Sequence, residues 1–169
     1  MNIKESGEPK KELGEPKEIE RKFKVKNPPP DLGQYPHVEI LQGYVSIDEN
    51  GKEERVRSKD GRFFHTIKEG EGMVRTEKEA EITKEQFDEL WPRTEGKRIY
   101  KTRYKIPHGE EIIELDIYHG ELDGLITVEV EFTSEEAANK FVAPDWFGDD
   151  VTNDKRYKNK NLAVKGSPQ

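Results

Sequence analysis

Glu18-Ile19-Glu20-Arg21-Lys22 sets two carboxylates and an ammonium at alternate positions. Side chains on a strand alternate between faces, so Glu18, Glu20 and Lys22 share one face, Ile19 and Arg21 the other. The spacing recurs: Arg55/Arg57, Arg75/Glu77/Glu79, Lys101/Arg103, Glu114/Asp116 and Glu129/Glu131 each stand two apart in strand-like runs. Ionisable groups of both signs therefore line one face of a sheet. Burying such a face is unfavourable unless the charges are paired or hold a ligand, so the pattern points to a charged ligand.

Sorted by sign, the acidic set is Glu18, Glu20, Glu114, Asp116, Glu129 and Glu131. The basic set is Arg55, Arg57, Lys68, Lys101 and Arg103, with Lys22 and Arg75 between the two. The acids come from the first strand and the last two, which a closed barrel makes neighbours. Clustered carboxylates raise each other's pKa until a cation neutralises them. An all-oxygen donor set suits a hard divalent ion, Mg²⁺ or Mn²⁺. Arg and Lys opposite would take phosphate oxygens through charge-assisted hydrogen bonds. Metal on one wall and cations on the other suit a nucleoside triphosphate or tripolyphosphate. For any single pair a solvated strand edge is an equal reading, because edge charges block aggregation. Repetition over six strands favours the lumen. Arg75/Glu77/Glu79 stays open between lumen and surface, because Lys78 and Glu81 continue the charge run. His37, His65, His108 and His119 lack metal-ligand spacing, and no phosphate-binding Gly-x-x-x-x-Gly-Lys loop is present.

The elements that position these groups are mostly strands. After the first strand, stopped by Asn27-Pro28-Pro29-Pro30, strand-like runs fall at about 40–47, 53–58, 62–69, 72–82, 98–106, 110–119 and 125–132. Residues 31–40 read as a short helix or loop. Asn50-Gly51, Asp60-Gly61, Gly70-Glu71-Gly72, His108-Gly109 and Asp123-Gly124 mark the turns. Thr83-Lys84-Glu85-Gln86 and Thr133-Ser134-Glu135-Glu136 read as capping boxes opening two helices. The first should stop at Pro92; the second should bury Ala137, Ala138 and Phe141. A last short helix is expected around 154–164. Consecutive hairpins predict a mainly β (α+β) fold, an eight-stranded antiparallel β-barrel with flanking helices. Its charged face should point into the lumen, with Ile113, Leu115, Ile117, Val128, Val130 and Phe132 outward under the helices. An apolar lumen with a charged outer wall is the alternative, but it leaves the helices no apolar face to cover.

Composition bounds the function. The chain is 31% hydrophobic and 38% charged, close to the disordered class on composition alone, and only its regular period-2 segments argue for a packed fold. A net charge of −7 disfavours general nucleic-acid binding. Absence of cysteine excludes disulfides and thiolate metal sites. With no apolar run of about 18 residues and no signal-peptide core, a cytoplasmic protein, monomer or homodimer, without membrane spans is expected. Two Gly-Glu-Pro-Lys repeats at 7–10 and 14–17 suggest a disordered tail over 1–16, then one domain over 17–164 and a short tail over 165–169.

Glu18-Ile19-Glu20-Arg21-Lys22-Phe23 resembles the ExExK signature of the CYTH, or triphosphate tunnel metalloenzyme, superfamily. The ordered set Gln42-Gly43-Tyr44, Arg55-Val56-Arg57, Thr66-Ile67-Lys68, Glu77-Lys78-Glu79, Lys101-Thr102-Arg103-Tyr104, Glu114-Leu115-Asp116, Val128-Glu129-Val130-Glu131 and 157–162 supports it. The resemblance implies a charge-lined eight-stranded tunnel acting on triphosphates with Mg²⁺ or Mn²⁺. It puts Glu18, Glu20, Glu129 and Glu131 at metal positions, with Asp116 and Glu114. Arg55, Arg57, Lys68 and Arg103 fall at substrate-binding positions, helped by Lys101 and Arg75. The catalytic set is Glu18, Glu20, Lys22 and Lys68, with Lys22 ordering the glutamates or touching phosphate. Glu77 and Glu79 line the tunnel, and the segment with Lys155, Arg156 and Tyr157 resembles a plug. Short members with this start resemble bacterial inorganic triphosphatases, which implies metal-dependent hydrolysis of tripolyphosphate to pyrophosphate and phosphate. Class IV adenylate cyclase, thiamine triphosphatase and RNA triphosphatase are the sibling activities, and a non-catalytic polyphosphate- or nucleotide-binding module is the reading from another class.

Overall fold

Alternation of apolar and charged residues becomes nine strands in the computed structural model, which describes residues 17–70 and 73–168. They are β1 (Lys17–Val25), β2 (His37–Ile47), β3 (Glu53–Lys59), β4 (Arg62–Glu69), β5 (Val74–Ile82), β6 (Arg98–His108), β7 (Glu111–Tyr118), β8 (Ile126–Glu131) and β9 (Phe147–Asp150). Helices α1 (Lys84–Leu90), α2 (Glu135–Lys140) and α3 (Asn159–Lys165) complete the set. The tail expected over 1–16 and the centre of the expected Gly70–Gly72 turn lie outside the described residues.

The sheet runs β5-β4-β3-β2-β6-β7-β8-β1, antiparallel throughout, and β1 closes it by pairing with β5 through Lys17↔Thr76, Glu18↔Arg75 and Ile19↔Val74. Beyond Ile19 the same edge of β1 takes β9, through Phe23↔Asp150 and Val25↔Phe147. The expected eight-stranded barrel is therefore present, with β9 as an extra strand. Asp60 and Gly61, at φ 54° and 74°, form the two-residue loop between β3 and β4, as a type I′ hairpin requires. Gly43 on β2 is needed for close approach: a Cβ there would lie 2.5 Å from the buried Thr94 side chain.

Apolar side chains face outward and form two cores. One packs Phe23, Ile113, Leu115, Val128 and Val130 under Ala138 of α2 and Phe147 of β9. The other packs Val45 and Val56 under Phe87 of α1. A third cluster closes one barrel end: Ile99, Tyr118, Leu122 and Leu125 meet Val151, Tyr157 and Leu162 from the C-terminal segment. No helix among the described residues is long and apolar enough to cross a membrane.

Local departures from the sequence reading have physical reasons. β2 begins at His37, inside the stretch read as helix or loop, and only Leu32–Gln34 is helical there. Thr83 caps α1 with the full reciprocal box, but Pro92 does not end the chain's turning: Trp91–Thr94 continues as a 3-10 turn, in which Pro sits near the start, where no N–H is required. The cap of α2 is Ser134, whose hydroxyl accepts from the Ala137 N–H, one residue later than the expected box. Lys165, placed in the tail by sequence, is the last residue of α3.

Candidate active site

β1 carries the first functional side chains, and its outer face fixes where they point. Arg21 donates to the Ala138 carbonyl at 2.9 Å, at the end of α2, and pairs with Asp150 of β9 at 2.9 Å. Phe23 packs on Phe147, ring centroids 4.9 Å apart. The opposite face of β1 then points into the barrel. Register sets Glu20 opposite Glu131, Lys22 opposite Glu129, and Glu114 on β7 opposite Glu129. Directly opposed residues of antiparallel strands share a face, so β1, β7 and β8 present a contiguous acidic wall. The Lys22 ammonium lies 3.7 Å from Glu129 Oε2 and donates to the Tyr157 carbonyl at 2.5 Å.

The basic wall is built by β3, β4 and β6. Arg55, Arg57, Lys68, Lys101 and Arg103 are all buried. Lys68 reaches Glu18 at 3.0 Å, Arg57 meets Glu79 at 3.3 Å, and Arg55 has Glu77 only at 4.0 Å. The Nε atoms of Arg55 and Arg57 are buried without a hydrogen-bond partner. Arg75 on β5 pairs with Glu53 at 2.8 Å.

Between the walls lies a cavity of about 200 Å³, lined by Glu18, Glu20, Lys22, Arg55, Arg57, Lys68, Arg75, Lys101, Arg103, Glu114, Glu129 and Glu131 among others. All but one of the sequence-predicted site residues thus line one space. Asp116 is the exception: fully buried behind the wall, it takes two hydrogen bonds from Arg103, at 2.8 and 2.9 Å, and pairs with Lys101 at 2.8 Å. Glu77 and Glu79, left open between lumen and surface, also line the cavity. Sequence reasoning missed Tyr44, Glu53, Lys59, Thr152, Lys158 and Asn159. Strand parity signals the first three: 53 and 59 share a face with Arg55 and Arg57, and 44 with Gln42. Thr152 sits on an irregular segment without periodicity, where it accepts from the Lys22 N–H at 3.0 Å. Of the plug's expected members, Tyr157 lines the cavity, whereas Lys155 and Arg156 are exposed.

The two walls carry opposite unmet charge. Burial, then Glu129 and Glu18, push the Glu20 carboxyl up to about 8 against the pull of Lys68 and Lys22. Partial burial, then Glu18 and Glu114, raise Glu131 to about 7, although this rim residue is exposed as a whole. Glu129 goes the other way: against burial, Lys22, Arg103 and Lys101 hold it well below the carboxylate range. Burial, then Arg55 and Arg103, bring Arg57 down to about 10, and burial, with Arg103, brings Lys101 to about 8 despite Asp116. Against burial, Arg55 and Arg103 are instead held up by their acidic neighbours. Carboxylates short of a cation (Glu20, Glu131) and cations short of an anion (Arg57, Lys101) in one cavity would be relieved together by a metal-chelating polyanion. The donors Glu18, Glu20, Glu129 and Glu131 are all oxygen and fit a hard divalent cation by type. As they stand, no three acids among the described residues are grouped around one ion position, so holding one requires these cavity-lining side chains to draw together.

No protein-family model matches the chain. An inorganic triphosphatase of Nitrosomonas europaea is 48% identical over 149 residues, covering 87% of this chain and 97% of the relative. The chain belongs to the inorganic triphosphatase family. A second inorganic triphosphatase, of Acetivibrio thermocellus, is 37% identical over 86% of this chain and 92% of its own length. A crystal structure of an inorganic triphosphatase superposes with TM-score 0.67 at 43% identity, covering 89% of this chain and 97% of that one. A protein from Hippeastrum shares the fold at TM-score 0.53 and 17% identity, over 72% of this chain and 82% of its own. The resemblance carried by Glu18–Phe23 and the ordered motifs after it is borne out.

Proposed function

We propose that this triphosphatase hydrolyses inorganic tripolyphosphate to pyrophosphate and phosphate inside the barrel, with Mg²⁺ or Mn²⁺ as cofactor. The observation that carries the reading is the pair of buried guanidiniums, Arg55 and Arg57, each with an unpartnered Nε, in the lining of a largely charged cavity that also presents Glu20 and Glu129. A substrate that is charge along its whole length fits such walls. Arg55, Arg57, Lys68 and Arg103 bind the phosphoryl oxygens and neutralise charge as the terminal phosphoanhydride bond breaks. Glu18, Glu20, Glu129 and Glu131 hold the divalent ion, which when bound supplies charge neutralisation at the phosphoryl oxygens. Lys22 keeps Glu129 in place and ties the wall to the C-terminal plug through Tyr157. Asp116 differs from its sequence-based role: saturated by Arg103 and Lys101, it positions those cations rather than holding metal.

Phosphate release from tripolyphosphate, ATP, thiamine triphosphate and pyrophosphate, each with and without Mg²⁺ or Mn²⁺, tests the proposal. Metal-dependent release from tripolyphosphate is expected. Cyclic AMP from ATP with no release from tripolyphosphate would overturn it.

A further inference from the structure

The closed end of the cavity holds a carboxylate among cations. Glu53 opens β3, is 3% exposed, and shares the inward face with Arg55 and Arg57. Register sets it opposite Lys68 on β4. Arg75 Nη2 lies 2.8 Å from its Oε2, while Arg75 Nε is spent on the Gly70 carbonyl at 3.1 Å. Lys160, from α3, approaches the same oxygen at 4.0 Å. Lys158, half-buried just before α3, lines the cavity at this end. Burial, then Arg75 and Lys160, depress its pKa, the mark of cations in excess. Against burial, Arg75, Lys68 and Arg55 hold Glu53 below the usual carboxylate range, so it is a permanent anion.

Arg75, Lys158 and Lys160 would by themselves continue the phosphate-binding wall inward from Arg55 and Lys68. Glu53 occupies that cradle instead. A phosphoryl oxygen brought there would meet a fixed like charge, which disfavours it. Beyond it, Ile99, Tyr118 and Leu162 close the end with apolar surface. We infer that Glu53 is a built-in counter-anion marking the inner end of the substrate path, and so determines how many phosphoryl groups the barrel seats; this rests on the triphosphatase reading above.

The test compares kcat/KM for linear tripolyphosphate and linear tetrapolyphosphate in the wild-type protein, Glu53→Gln and Glu53→Asp. Glu53→Gln vacates the cradle for one more phosphoryl group, and the tetra-to-tri ratio should rise about tenfold or more, the effect of one hydrogen bond to a charged group. Glu53→Asp keeps the charge and should keep the wild-type ratio. If Glu53 only supports Arg75, Glu53→Gln will lower both values alike, and an unchanged ratio overturns the inference. Should Glu53→Gln fail to fold, the double variant Glu53→Gln/Arg75→Gln removes both members of the buried pair and leaves Lys158 and Lys160. Its ratio should also rise, and an unchanged one is equally fatal. A wild-type protein inert on tripolyphosphate would remove the activity reading and this inference with it. An active wild type with an unmoved ratio removes the inference alone.

Discussion

Asp116→Asn separates positioning from metal binding. Asp116 is fully buried and its carboxylate holds Arg103 through two short hydrogen bonds and Lys101 through a third contact. Neutralising it leaves two buried cations with only Glu129, 3.3 Å from Arg103, and Glu114 at 3.2 Å for compensation. Breaking a buried pair costs about 3–5 kcal/mol, and the remaining amide oxygen of Asn still accepts, so the lower end applies. For a domain of this size ~3 kcal/mol corresponds to a melting temperature lower by roughly 6–12 °C. The assay is thermal unfolding in EDTA and again in Mg²⁺, followed by circular dichroism. The structure predicts the same fall in both buffers, because the lost contacts are between protein groups. Were Asp116 a metal ligand, the EDTA melt would hardly move and only the Mg²⁺ stabilisation would disappear. An unchanged melting temperature in EDTA would refute the positioning role.

Arg57→Ala should raise KM and lower kcat, together cutting kcat/KM by roughly 10- to 100-fold, the worth of charge-assisted contacts to phosphate; steady-state kinetics near wild type would place Arg57 outside the substrate path. Glu20 and Glu131 titrate near about 8 and about 7 in the metal-free fold, above the unfolded carboxylate value. The folded state therefore binds more protons between about pH 5 and pH 8, and metal-free stability must fall as pH rises through that window. Melting temperatures in EDTA should decline across it, and Mg²⁺ should flatten the decline; a rise would contradict the acidic-cluster account. Leu162 of α3 is 2% exposed in the cluster closing the barrel end, so Leu162→Ala should destabilise by about 2–5 kcal/mol in denaturant melts.

The barrel was legible because period 2 is unambiguous when the two faces differ as sharply as Ile113-Glu114-Leu115-Asp116. Its closure was legible too, since acids on β1 and β8 make sense only as neighbours. β9 was not: Phe147-Gly148-Asp149-Asp150 is short and has one apolar residue, and only its pairing with β1 defines it as a strand. Glu53 escaped notice as the first residue of the run 53–58, beside the charge-rich turn 48–51, although its parity with Arg55 points inward. Asp116 shows the limit of parity. Alternation places it on the inner face, but only three dimensions reveal that Arg103 and Lys101 have already claimed both of its oxygens.

The opposed walls themselves are tested most directly by Glu129→Gln, with tripolyphosphate binding measured by calorimetry and phosphate release measured on the same preparation in Mg²⁺. Glu129 touches Lys22 and, of the basic wall, Arg103, but makes no ion pair with Arg55, Arg57 or Lys68. The account predicts that release is abolished while tripolyphosphate still binds through Arg55, Arg57 and Lys68. Turnover at the wild-type rate would contradict the assignment of the acidic wall to catalysis.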